Sequence, residues 1–187
     1  MAKVQINHED LIAHSEELNS NMQYFESIGR PLLIEYSKEL DEKVAAVKSY
    51  LDRVREYNLD FDMPSVQRAL LDLTTTIFFT TEKLEKIGWL EDVSKLQYQT
   101  TYNNAYLSKQ GEEAAGGAGG KFTVQQLRAH ADQEALSDNV LNFIYARCSK
   151  ILKDKVDQAN DVAKALSKIL SAQITSMQVF QYSQRNM

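Results

Sequence analysis

The stretch ILKDKVDQANDVAKALSKILSAQITSM, residues 151–177, separates Leu152, Val156, Ala159, Ala163, Leu166, Leu170, Gln173 and Met177 by alternating steps of four and three. A repeat of that kind returns each side chain to one seam of a helix and marks packing of coiled-coil type. It predicts a helix from about Ser137 to Phe180. It also predicts that Leu152, Val156, Leu166, Leu170 and Met177 form an interface between copies of the chain. Gln173 is the polar member of the seam, a kind of residue that fixes register or oligomeric state.

Upstream of the seam the same logic continues. Thr123 followed by Gln126 matches a capping box and starts a helix. Before it, GEEAAGGAGG at 111–120 is too rich in glycine to hold a helix and predicts a mobile connector. WLEDVSKLQYQTTYNNAYLSKQ predicts a helix that Gly88 sets off from the one before. TTTIFFTT has the composition of a strand. However, Leu70, Leu73, Ile77, Leu84 and Ile87 keep a helical phase, and no hairpin partner is near. Threonine hydroxyls bonding to the preceding turn are compatible with a helix there. Pro64 and Pro31 suit helix starts. Leu33, Tyr36, Leu40, Val44, Val47 and Leu51 trace the apolar stripe of a helix ending near Asn58. Asn7 caps a first helix, interrupted at Gly29 and Pro31. The fold class is all-α, with long helices in antiparallel hairpins and a coiled-coil-like C-terminal helix. The expected domains are an acidic helical hairpin over 1–62 and a second helical hairpin over 63–187, with its glycine-rich linker at 111–120.

Of the 187 residues, 25% are charged and 43% apolar, with only 2 prolines and 7 glycines. These are the proportions of a soluble helical protein. One cysteine excludes an internal disulfide, and no apolar leader or membrane-length run is present. A reducing, cytoplasmic setting follows. The net charge of −5 is unevenly spread. Residues 121–187 hold nine Lys and Arg against six Asp and Glu, while residues 1–120 hold 12 against 20. The basic rear suits either a polyanion or the acidic front of another copy.

Catalytic signatures are missing. His8 and His14 are six residues apart, which puts their rings on different helical faces and argues against a metal site. His130, Asp132 and Glu134 also alternate between faces. Cys148 has Ile144, Ile151 and Leu152 for neighbours, the setting of an inert buried thiol. Lys121 closes a glycine-rich stretch without P-loop order or a preceding strand. No enzyme, metal or cofactor is expected.

Two patterns carry the binding chemistry. Arg147, Lys150 and Lys153 lie three residues apart on the long helix, with Lys155, Lys164 and Lys168 beyond. They read as a phosphate track, or as a solvated face with intrahelical ion pairs to Asp154, Asp157 and Asp161. Tyr98, Tyr102 and Tyr106 lie four apart, with Asn103 and Asn104 between. They read as stacking platforms for unpaired bases, or as packing residues.

With KLQYQTTYNNAYLSK, KFTVQQL and VLNFIYARCSKIL laid out in this order, the chain from about Ser94 to Leu170 resembles the UvsY family. These are the recombination mediators of T-even phages. The resemblance implies a helical subunit that assembles into a ring-like homo-oligomer in the cytoplasm of an infected host cell. It implies binding of single-stranded DNA and loading of a recombinase onto strands coated by a single-strand binding protein. The matching positions for nucleic acid are Lys95, Tyr98, Tyr102, Lys109, Arg147, Lys150 and Lys153. The acidic helices in front and the negative net charge depart from the family. The alternative is an oligomeric helical structural or scaffold protein of a phage virion with no nucleic-acid role.

Overall fold

The computed structural model describes residues 20, 22–57, 60–114 and 122–185. Its elements are a π-helical turn at Phe25–Gly29, α1 (Arg30–Glu56), α2 (Met63–Ala114), α3 (Val124–Glu134) and α4 (Leu136–Arg185), with no strand among the described residues. The chain is all-α. No helix among the described residues is long and apolar enough to cross a membrane.

Packing divides the chain into two compact units, Met1–Leu32 with Lys86–Ser149, and Leu33–Glu85 with Lys150–Met187. The stripe on α1 is buried against the first part of α2 and the last part of α4.

In the second unit, Leu33, Leu40, Val47 and Val54 recur every seventh residue of α1 and are all buried. Leu40 and Val47 cluster with Val66, Leu73 and Ile77 of α2 and with Val156, Ala159, Ala163, Leu166 and Leu170 of α4. The small Ala159 and Ala163 let helices approach closely, since interaxial distance follows the side chains at the contact. The seam of α4 is therefore filled from within. Leu152, Val156, Leu166 and Leu170 are buried in the chain itself, leaving nothing there for a second copy to cover. Met177, 55% exposed, is the one member of the expected interface that faces solvent. Lys43 pairs with Asp72 at 3.2 Å, and Lys155 pairs with Asp41.

The turn between α1 and α2 is fastened from both sides. The Tyr50 hydroxyl accepts the Asp62 N–H at 3.2 Å, and its ring lies 6.5 Å from that of Phe61. The Asp62 carboxylate accepts the Ser65 N–H at 3.2 Å, ahead of Pro64 in the first turn. Gln173 donates its amide N–H to the Phe61 carbonyl at 3.2 Å, so the polar member of the seam locks a turn.

In the first unit, Ile87 of α2, Leu127 and Ala131 of α3, Ala135, and Ile144 and Cys148 of α4 are buried. Asp138, in the first turn of α4, accepts from Thr101 Oγ1 at 2.6 Å and Gln97 Nε2 at 3.1 Å. The predicted capping box is present: Thr123 and Gln126 exchange bonds at 3.2 and 2.8 Å. Only Ala135 separates α3 from α4.

The expected break at Gly88 is absent. α2 runs straight through Gly88, where an added Cβ would meet nothing within 4 Å, so the glycine lowers local helix stability without ending the helix. The threonine-rich stretch is helical too. Thr74, Thr76, Thr80 and Thr81 each donate to the carbonyl four residues back at 2.8–2.9 Å. That removes the polar cost of burying Thr76 and Thr80. Of the stretch 111–120, Gly111 to Ala114 complete α2 and the rest lies outside the described residues.

The helical path also passes through Gly29 and Pro31. The Arg30 N–H reaches back five residues to the Phe25 carbonyl, which widens the turn just ahead of Pro31. A proline ring clashes with the carbonyl one turn before it, and the wide turn relieves that clash. Gly29 is buried there, and the Cys148 thiol donates to its carbonyl at 3.5 Å.

The two helical glycines have opposite expected responses to alanine. A Cβ at Gly29 would lie 2.8 Å from the Phe25 ring and 3.1 Å from Ile144. Gly29→Ala should therefore lower stability by about 1–3 kcal/mol in urea unfolding. Gly88→Ala should raise it by about 0.5–1 kcal/mol, because its site is open. A loss at Gly88 would contradict the continuous helix. For Cys148, burial pushes the thiol up to about 11 from 9.0. The unfolded chain ionises first, so stability should fall as pH rises from about 9 towards about 11. At pH 8 a thiol-alkylating reagent should label Cys148 only after unfolding; rapid labelling of the native protein would contradict its burial.

Candidate nucleic-acid interface

Lys95, Tyr98, Tyr102, Tyr106 and Lys109 follow steps of three, four, four and three along α2. At 3.6 residues per turn these steps keep all five on one side of the helix. Lys95 is exposed and the three tyrosines are half-buried. The rings of Tyr98 and Tyr102 lie 6.1 Å apart and tilted by 49°, so they pack partly against each other.

Lys109 is already engaged. Its ammonium bonds Glu112 at 2.7 Å and sits 5.0 Å above the Phe122 ring. That hydrogen bond and charge hold the Glu112 carboxyl below its ordinary range. Lys109 thus ties the last turns of α2 to the residue preceding the cap of α3. This is a structural duty that its position in the sequence did not reveal.

On α4, Arg147, Lys150 and Lys153 are exposed, and none joins an ion pair among the described residues. The rest of the basic row is divided. Lys155 turns to Asp41 of α1, and Lys164 pairs with Asp161 at 3.0 Å. Lys164 thus has the intrahelical ion pair of a solvated face, while the first three cations are exposed without one among the described residues.

The aromatic row and the cations are not one patch. Gln97 and Thr101, which flank Tyr98, bond Asp138, whereas Arg147 lies nine residues further along α4. That is about 13 Å of helix. The α4 residue level with the tyrosines is thus acidic.

Among the described residues, no group of three or more His, Cys, Asp or Glu is placed to hold a metal. An open groove of about 480 Å³ in the second unit runs between Leu70, Leu71 and Thr74 of α2 and Ala163, Ser167 and Leu170 of α4. Its walls are mostly apolar, with Lys164 the one titratable side chain among those that line it.

One feature escaped the sequence reading. Leu71, Phe78, Trp89, Leu96 and Leu107 of α2 are all 60–66% exposed. Their spacings of 7, 11, 7 and 11 were the available signal.

No known protein family, curated protein or solved structure matches the chain.

Proposed function

We propose that the protein binds single-stranded nucleic acid and acts as a recombination mediator, helping to load a recombinase onto strands covered by a single-strand binding protein. The observation that carries this reading is the exposed row Arg147, Lys150 and Lys153 on one helix, in no ion pair among the described residues. Unpaired cations at successive turns track a phosphate backbone and release its counterions. Lys95, beside the half-exposed rings of Tyr98 and Tyr102, forms a second, smaller patch where a base can stack. The resemblance of the segment around these residues to phage mediators supplies the biological role.

A second reading, an oligomeric helical structural or scaffold protein of a phage virion, is supported by the exposed apolar line on α2. It requires no nucleic acid.

Fluorescence anisotropy with a labelled oligothymidylate of several dozen bases separates the two. Three neutralised phosphates give a slope of about −2 in log affinity against log salt for one subunit. The double variant Lys150→Glu, Lys153→Glu should weaken binding and flatten the slope to about −0.7. Lys95→Glu should weaken binding less. A wild-type protein that leaves the oligonucleotide unbound at low salt would replace the mediator reading with the structural one.

A further inference from the structure

The exposed line on α2 has charges set into it. Glu82 and Glu85 are exposed, take part in no ion pair among the described residues, and share one side of the helix with Trp89 and Leu96. Helical geometry puts these four within about 60° of arc. The outer side of α4 holds a line of the opposite sign. Leu136 and Phe143 are 49% and 60% exposed. Arg147 and Lys150 extend the same side of the helix.

The two lines match in antiparallel order. Steps forward from Leu136 to Phe143, Arg147 and Lys150 are 7, 4 and 3 residues; steps back from Leu96 to Trp89, Glu85 and Glu82 are also 7, 4 and 3. Laid together, Leu136 meets Leu96, Phe143 meets Trp89, Arg147 meets Glu85, and Lys150 meets Glu82. The match stops one turn later, where Asp154 would meet Phe78.

Within one chain these sides do not meet. The contact between α2 and α4 uses Ser94, Gln97 and Thr101 with Asn142 and Asp138, and leaves both outer lines in solvent. Pairing α2 with α2 of another copy, antiparallel about Trp89, would set Glu85 against Val93 and Glu82 against Leu96 of that copy, leaving both carboxylates facing apolar side chains with no charge partner. The α4 line is the better complement.

We propose that the outer side of α4, Leu136 to Lys150, docks antiparallel on the outer side of α2, Glu82 to Leu96, of a second copy of the chain. The contact spans about 21 Å of helix. That is short beside the roughly 800 Å² per partner of a standard interface, so association is weak and concentration-dependent. Its two charge pairs make it salt-sensitive. The inference meets the proposed function at one point: Arg147 and Lys150 serve both, so nucleic acid and the second copy compete for them.

Trp89 is the chain's single tryptophan, so its emission reads the interface directly. Emission and sedimentation velocity would be followed against protein concentration at low and high salt. The proteins compared are the wild type, Glu82→Lys with Glu85→Lys, Arg147→Glu with Lys150→Glu, and the variant with all four changes. Circular dichroism checks that each is folded. The wild type should show a blue shift and faster sedimentation as concentration rises at low salt, both reversed by salt. Each two-site reversal should weaken association about tenfold or more, and the four-site swap should restore it to within about threefold. The docking is overturned by a wild type whose emission and sedimentation ignore concentration. It is also overturned by a two-site reversal that associates as the wild type does, or by a swap that restores nothing. Adding an oligothymidylate to the associated wild type should reverse the blue shift. If the shift persists and the swap still restores association, the nucleic-acid reading fails and the docking stands.

Discussion

Leu166 of α4 packs in one cluster with Leu40 of α1 and Leu73 of α2, all at 0–1% exposure. A fully buried leucine of this kind is worth about 2–5 kcal/mol against alanine. The stripe it belongs to fixes which side of α4 faces inward. Once that side is set, helical geometry decides where the remaining side chains of a 50-residue helix point. Arg147, Lys150, Leu136 and Phe143 face solvent because Ile144, Cys148 and Leu152 do not.

α2 is under a different constraint. Its buried side, with Val66, Leu73, Ile77 and Ile87, fills the bundle, yet its opposite side is apolar as well. A helix apolar on both sides is usually covered on both sides. Isolated exposed hydrophobic residues are ordinary, but five in register along one helix are not. Glu82 and Glu85, set among them, are exposed and carry no ion pair among the described residues. Charges set into an apolar surface narrow the choice of partner more than they strengthen binding.

Much of the fold was legible because heptad spacing is robust to composition. The stripes of α1 and α4 and the cap of α3 were all readable from positions alone. The misreadings have physical causes. Gly88 and Pro31 are breakers by propensity, but tertiary burial on both sides of each outweighs a local cost of about 1–3 kcal/mol. The seam of α4 looked like an oligomer interface because spacing shows that a partner helix exists, not which chain supplies it. Lys109 could not be recognised as tied, since its aromatic partner Phe122 lies 13 residues further along the chain. Arg147, Lys150 and Lys153 share one exposed side of α4, as their spacing indicates, but their separation from the tyrosines depends on the register of α2 against α4. That register is set by Asp138, a residue with no mark in the sequence.

The wide turn at Phe25–Gly29 holds one residue more than an ordinary helical turn would need. It can therefore be viewed as an insertion carried inside a helix. Removing one residue there would restore normal pitch while leaving α1 in place, and would rotate the preceding Met22 and Tyr24 by about 100° around the axis. The turn thus sets the angular phase between α1 and whatever precedes it, independently of the core that α1 fills. Variation in chain length at this point is the cheapest way for such a protein to present a new face at its N-terminal end.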